Sequence, residues 1–245
     1  MSTKSDLFPV VSLLLSATLW GILWYPLRRL EESGISGLWA SLIIYGSLIP
    51  LGLWLSRHSW RQISRYWRHW LLIALASGWC NVAFVLAVLD GTVVRVLLLF
   101  YLSPVWAIFF AWLAIGERAD RQSLFTVAMA MSGALFMLWD SNIGWPWPRE
   151  LSDWLALSSG LAFAIANVLI RATSGMSLTM KMSANWLGVV TVALSGVFIF
   201  SDPVPMVSPT VWLVALSMGA LMLVMTITVQ YGVTHLPIYK SSIVL

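Results

Sequence analysis

The stretch Leu97–Leu138, LLLFYLSPVWAIFFAWLAIGERADRQSLFTVAMAMSGALFML, sets two long apolar runs on either side of the short charged loop Gly116–Arg121. Each run approaches the roughly 20 residues that an α-helix needs to cross a bilayer. The same pattern continues in both directions. Of the 245 residues, 60% are hydrophobic and 10% charged, and mean hydropathy is +0.86. A soluble domain is only about half apolar and about a quarter charged, so one soluble core could not hide this much apolar surface. The chain reads as an all-α integral membrane protein.

Eight segments qualify as spans: about Leu7–Leu27, Ile35–Leu55, Trp70–Leu89, Thr92–Ile115, Ser123–Trp139, Leu151–Ala172, Ser183–Phe200 and Val211–Tyr231. A ninth begins near Pro237. Lys4, Arg57, Arg61, Arg65, Arg68, Arg118, Arg121, Arg171, Lys181 and Lys240 fall on one side of this topology. Only Arg28, Arg29, Arg95 and Arg149 fall on the other. Cytoplasmic loops carry the excess of Lys and Arg, so the N-terminus is expected in the cytoplasm, in a multi-pass inner-membrane protein. Trp60, Trp67 and Trp70, with Trp139, Trp145 and Trp147, lie at span ends, where an aromatic belt belongs. The +4 charge sits in short loops, which excludes nucleic acid as the partner.

Sliding the chain on itself by about 142 residues brings Leu13, Leu15, Ser16, Leu19, Leu27 and Arg29 onto identical residues of Leu155–Arg171. A shift of about 141 brings Ala74, Leu75, Gly78 and Gly91 onto Ala215, Leu216, Gly219 and Gly232. Residues 1–141 are therefore read as a first five-span repeat, 142–150 (NIGWPWPRE) as an interfacial linker, and 151–245 as a second repeat. Five is odd, so the second copy must be inverted, a recurrent transporter architecture. The expectation is a ten-helix bundle truncated within helix nine, which would not transport as residues 1–245 alone.

Leu97–Leu138 resembles the first-repeat hallmark of the EamA-type family of the drug/metabolite transporter superfamily. The resemblance rests on Pro104 within span four, Gly116-Glu117 at its end and Gly133 in span five, and extends over the chain as two repeats. It implies a carrier with a central cavity that moves small metabolites, often outward.

Candidate site residues follow from polar and aromatic groups inside apolar runs. Arg95 lies about one turn into span four. There it can hold a carboxylate or phosphate, snorkel to the interface, or pair with Asp90. Asn81, Asn167 and Gln230 are deep polar groups that face either a cavity or neighbouring helices. Trp20, Trp24 and Tyr101 can stack a solute or pack against helices. Pro104 is the hinge candidate, and Gly116-Glu117 is expected to end its helix and tie down the loop. The paired small residues Ala74/Gly78 and Ala215/Gly219 should let helices approach closely. No cofactor, metal site or catalytic residue is expected. Cys80 is the single cysteine, and its solitude excludes an intramolecular disulfide. The expected partners are a small-molecule metabolite and the lipid bilayer, with a homodimer left open. The expected function is secondary transport of amino-acid-like or other small organic solutes by alternating access, in the export direction. The alternatives are a non-transporting scaffold or regulatory subunit, and an intramembrane enzyme, which would need paired acids, a Ser/His pair or a His-rich site that this sequence lacks at membrane depth.

Overall fold

The computed structural model describes residues 7–139 and 147–245. Lys4, Asp6, Asp140, Trp145 and most of the expected linker lie outside the described residues. Every regular element described is a helix: α1 (Leu7–Ile22), α2 (Trp24–Glu32), α3 (Gly37–Gly46), α4 (Ile49–Ser56), α5 (Gln62–Asp90), α6 (Val93–Phe100), α7 (Ser103–Ile115), α8 (Arg121–Leu138), α9 (Leu151–Ala172), α10 (Leu178–Phe200), α11 (Pro209–His235) and α12 (Ile238–Val244).

Three spans are broken, and each break precedes a proline. A proline has no N–H, and its ring crowds the carbonyl four residues earlier. Pro26 follows the α1–α2 break, Pro50 the α3–α4 break and Pro104 the α6–α7 break. The sequence reading anticipated only the last. Near Pro104, a Cβ on Gly160 would stand 2.8 Å from the Phe100 carbonyl oxygen. That oxygen is the one Pro104 leaves without its intrahelical donor.

Among the described residues, seven helices or helix pairs are long and apolar enough to cross a membrane: α1–α2, α3–α4, α5, α6–α7, α9, α10 and α11. The expected fifth span, α8, is a helix but falls outside this set. Its 18 residues begin with the polar turn Arg121-Gln122-Ser123, which shortens the apolar part. Of its described apolar side chains only Val127 and Ala134 are buried. A second departure is Lys181, expected in a loop. It lies in the first turn of α10, fully buried, and donates from Nζ to the Ile170 carbonyl (2.8 Å) and Thr234 Oγ1 (3.2 Å).

Close helix crossings rest on glycine. A Cβ on Gly188 would lie 1.9 Å from the Ala74 carbonyl oxygen, and one on Gly78 would lie 2.5 Å from that of Gly188. Backbones of α5 and α10 thus touch where Ala74 and Gly78 lie four apart, as the small-residue pattern predicts. On α11, a Cβ on Gly219 would collide with Ser47 Oγ between α3 and α4. The ends of the bundle are tied by polar groups. Arg28 Nη2 donates to the Val88 and Gly91 carbonyls at the end of α5 (3.2 and 2.8 Å). Ser36, the N-cap of α3, donates to Asp202 beyond α10.

Candidate functional site

At the centre of the bundle lies a cavity of about 80 Å³ walled by α1, α3, α5, α6, α9, α10 and α11. One water needs roughly 10–15 Å³ by this kind of measure, so the space holds several waters or a small organic group. One wall is aromatic. Phe84 meets Trp20 edge-on (centroids 5.6 Å) and Phe100 at 5.1 Å, and Phe100 meets Phe163 at 5.3 Å. These rings come from four different elements, α1, α5, α6 and α9.

The opposite character is carboxamide. Asn81, Asn167, Asn185 and Gln230 all line the cavity, and no charged side chain does. Tyr45 O–H donates to Asn81 Oδ1 (2.5 Å), while Asn81 Nδ2 donates to the Ser77 carbonyl (2.8 Å). Gln230 Nε2 donates to the Lys181 carbonyl (3.3 Å). Gln230 Oε1 and Asn185 Oδ1 are buried and have no protein partner. A buried acceptor left unmatched costs about 1–3 kcal/mol, which makes these two atoms the natural contacts for something in the cavity.

Five expected site residues therefore come together: Trp20, Asn81, Tyr101, Asn167 and Gln230. Two do not line the cavity. Trp24, just past the α1–α2 break, packs against Tyr25 and the Phe84–Val88 cluster. Arg95 Nε pairs with Asp153 Oδ1 at 2.7 Å, and its Nη2 donates to the Trp147 carbonyl at 3.0 Å. Of the pairings weighed for Arg95, the Asp90 one is replaced by Asp153, a residue on the other half of the chain. Tyr45, Phe84, Phe163 and Asn185 were not anticipated. Asn185 carries the same signal as Asn81 and Asn167, a carboxamide within an apolar run. The aromatic residues carry no such signal, because an aromatic ring in a span is equally at home against lipid.

The model of the EamA-like transporter family matches residues 7–139. The chain belongs to the EamA-like transporter family, within the drug/metabolite transporter superfamily. No curated protein matches the chain. A crystal structure of a protein 16% identical in sequence superposes with a TM-score of 0.71, covering 99% of this chain and 83% of that one. At that identity the likeness establishes a shared fold.

The motif residues of this EamA-like chain have structural positions that their chemistry explains. Gly116 ends α7 with φ +69°, a left-handed conformation natural to glycine. Glu117 then reaches across the bundle. Its Oε1 accepts from Arg171 Nε and its Oε2 from the Ile238 N–H, each at 2.8 Å. Arg171 also donates from Nη1 to the Thr234 carbonyl at 2.8 Å. One carboxylate thus joins the end of α7 to α9 and to the first turn of α12. Gly133 on α8 has nothing within 4 Å of where a Cβ would stand. Pro104 and Gly133 both border a groove between α8 and α12 rather than the central cavity.

Proposed function

We propose that this EamA-like protein moves small organic solutes across the inner membrane, outward, by alternating access around the central cavity. The observation that carries the reading is the cavity itself, an aromatic and carboxamide chamber whose wall is shared between residues 17–101 and residues 163–245. Transporters commonly bind solutes near mid-membrane, where their two halves meet. Amino-acid-like solutes and other small organic metabolites are the proposed cargo, and the N-terminus is proposed to face the cytoplasm.

The proposed inverted repeat, 1–141 against 151–245, is supported by matched crossings. If α5 corresponds to α11 and α3–α4 to α10, the α5–α10 crossing at Gly78 is the counterpart of the α11–α3 crossing at Gly219. The Tyr45–Asn81 bond between α3 and α5 likewise has a counterpart in Trp186 Nε1 donating to Thr226 Oγ1 between α10 and α11 (3.2 Å). Gly91 packs on Ser152 at the start of α9, and Gly232 packs on Leu13 of α1.

The test is untargeted mass spectrometry of spent medium from cells expressing the protein or its Asn167→Leu variant at matched levels. A solute that accumulates outside only with the unaltered protein is the expected result. Identical media from the two cell types and from cells without the protein would overturn export.

A further inference from the structure

The orientation of one carboxamide says which solutes the cavity accepts. Oxygen and nitrogen of an amide exchange places if it is turned over, so the direction of Gln230 must come from its neighbours. Gln230 is 1% exposed, and its Nε2 donates to the Lys181 carbonyl. A carbonyl only accepts. Turning the amide over would set two oxygens against each other, so Oε1 is held on the other side, unpartnered, in a residue that lines the cavity. Asn185, one turn beyond Lys181 on α10, contributes a second unpartnered oxygen, on an amide that no hydrogen bond holds in one orientation. Asn81 differs, because both ends of its amide are already bonded.

The available cations are turned elsewhere. Lys181 Nζ is bonded to Ile170 and Thr234, and Arg95 to Asp153 and Trp147. A carboxylate or phosphate entering the cavity would shed its water without meeting a positive charge, and could donate nothing to the two unpartnered oxygens. An amine or primary amide brings N–H groups to those two oxygens, while an attached ring packs on Trp20, Phe84 and Phe100.

We propose that the cavity selects solutes by an N–H donor head group, amine or primary amide, on an aromatic or apolar body, and rejects carboxylates and phosphates. Gln230 Oε1 is the main acceptor and Asn185 Oδ1 the second. This rests on the transport reading above and narrows its cargo to amines and amides without a free carboxylate or phosphate, which removes free amino acids and keeps their amides and amines.

Phenylacetamide, phenethylamine and phenylacetate share a ring and differ in the head group. Their binding to the full chain in lipid nanodiscs can be followed through intrinsic tryptophan fluorescence, since Trp20 lines the site. The amide and the amine should bind at least about tenfold more tightly than the acid. Gln230→Met should weaken the amide about tenfold and leave the acid unchanged, and Gln230→Glu should shift preference towards the amine. Asn185→Leu, read the same way, should give a smaller loss and stands in if Gln230→Met does not fold. Acid binding equal to amide binding, or head-group preference that survives both Gln230→Met and Asn185→Leu, would overturn the proposal and leave transport standing. Failure of all three compounds to bind would overturn the transport reading of this cavity along with the proposal.

Discussion

Arg95 and Asp153 stand 2.7 Å apart, Nε to Oδ1, and so bind the start of α6 to the first turn of α9. Asp153 is almost fully buried, and its other oxygen accepts from the Arg149 N–H (2.9 Å) at the entrance of α9. The carboxylate serves at once as ion partner and as part of the capping box of α9. Arg95→Ala should therefore lower stability by about 1–3 kcal/mol and leave solute preference unchanged. Asp153→Asn should cost a similar amount. Thermal unfolding in detergent, with binding measured on the same samples, checks both. A changed solute preference in Arg95→Ala with an unchanged melting temperature would return Arg95 to the binding site.

Glycines of equal appearance in the sequence should respond oppositely to a methyl group. Gly188→Ala drives a Cβ into the Ala74 carbonyl and should cost more than about 3 kcal/mol or prevent folding. Gly133→Ala meets open space on a helix and should be neutral or stabilising by about 0.5–1 kcal/mol. Melting temperatures of the two variants decide it, and an equal response would mean that the α5–α10 crossing is not this tight.

Glu117 and Arg171 are each about a quarter exposed, and their bond is one arm of a tie that also holds Ile238. In a double-mutant cycle, Glu117→Gln and Arg171→Met should couple by about 0.5–2 kcal/mol. Glu117→Ala should cost more than Glu117→Gln, because only the glutamine keeps an acceptor for the Ile238 N–H. Equal losses in the two variants would remove the α12 arm from this account.

Cys80 is the only cysteine in the sequence, is 6% exposed and lines the cavity. It is a built-in reporter of opening. N-ethylmaleimide should modify it at least about tenfold more slowly than in unfolded protein, and a bound solute should slow it further. Rapid labelling insensitive to solute would contradict both the closed cavity and its occupancy.

Asp120 lies between spans and caps α8 by accepting the Ser123 N–H at 2.7 Å. That bond holds its carboxyl below the ordinary value of 3.8. A group depressed in this way lends stability above its unfolded pKa and loses it as pH falls through the folded one. Protection of the first α8 amides from hydrogen exchange should therefore fall on strong acidification. In Asp120→Asn, which keeps an acceptor without a titrating group, protection should not change with pH.

Seven of the eight expected spans were legible because lipid demands long apolar helices, whereas the polar first turn of α8 leaves the expected fifth outside the membrane-capable set. Asn81, Asn167 and Gln230 were legible for the complementary reason, since an amide inside such a run has to find polar company. Lys181 was not. Its partners, the Ile170 carbonyl and Thr234, are 11 and 53 residues away, and its place before an apolar run resembles an interfacial anchor. Arg95 was ambiguous for a similar reason, as its carboxylate sits 58 residues further on. Pro26 and Pro50 obey the same steric rule as Pro104 and were readable in principle. Which prolines break a span and which merely begin one depends on where the helix starts, and that is set by packing.

The bond between Glu117 and Ile238 also has a bearing on biosynthesis. The two residues are 121 positions apart. A ribosome adding about 5–20 residues per second delivers the second roughly 6–24 s after the first. Arg171, 54 positions on, emerges well before Ile238 and gives the Glu117 carboxylate its first partner. The short helix that begins at Ile238 leaves the ribosome after both Glu117 and Arg171, the two residues of its docking point. Order of emergence alone thus favours completing the α7–α9 contact first and adding α12 afterwards.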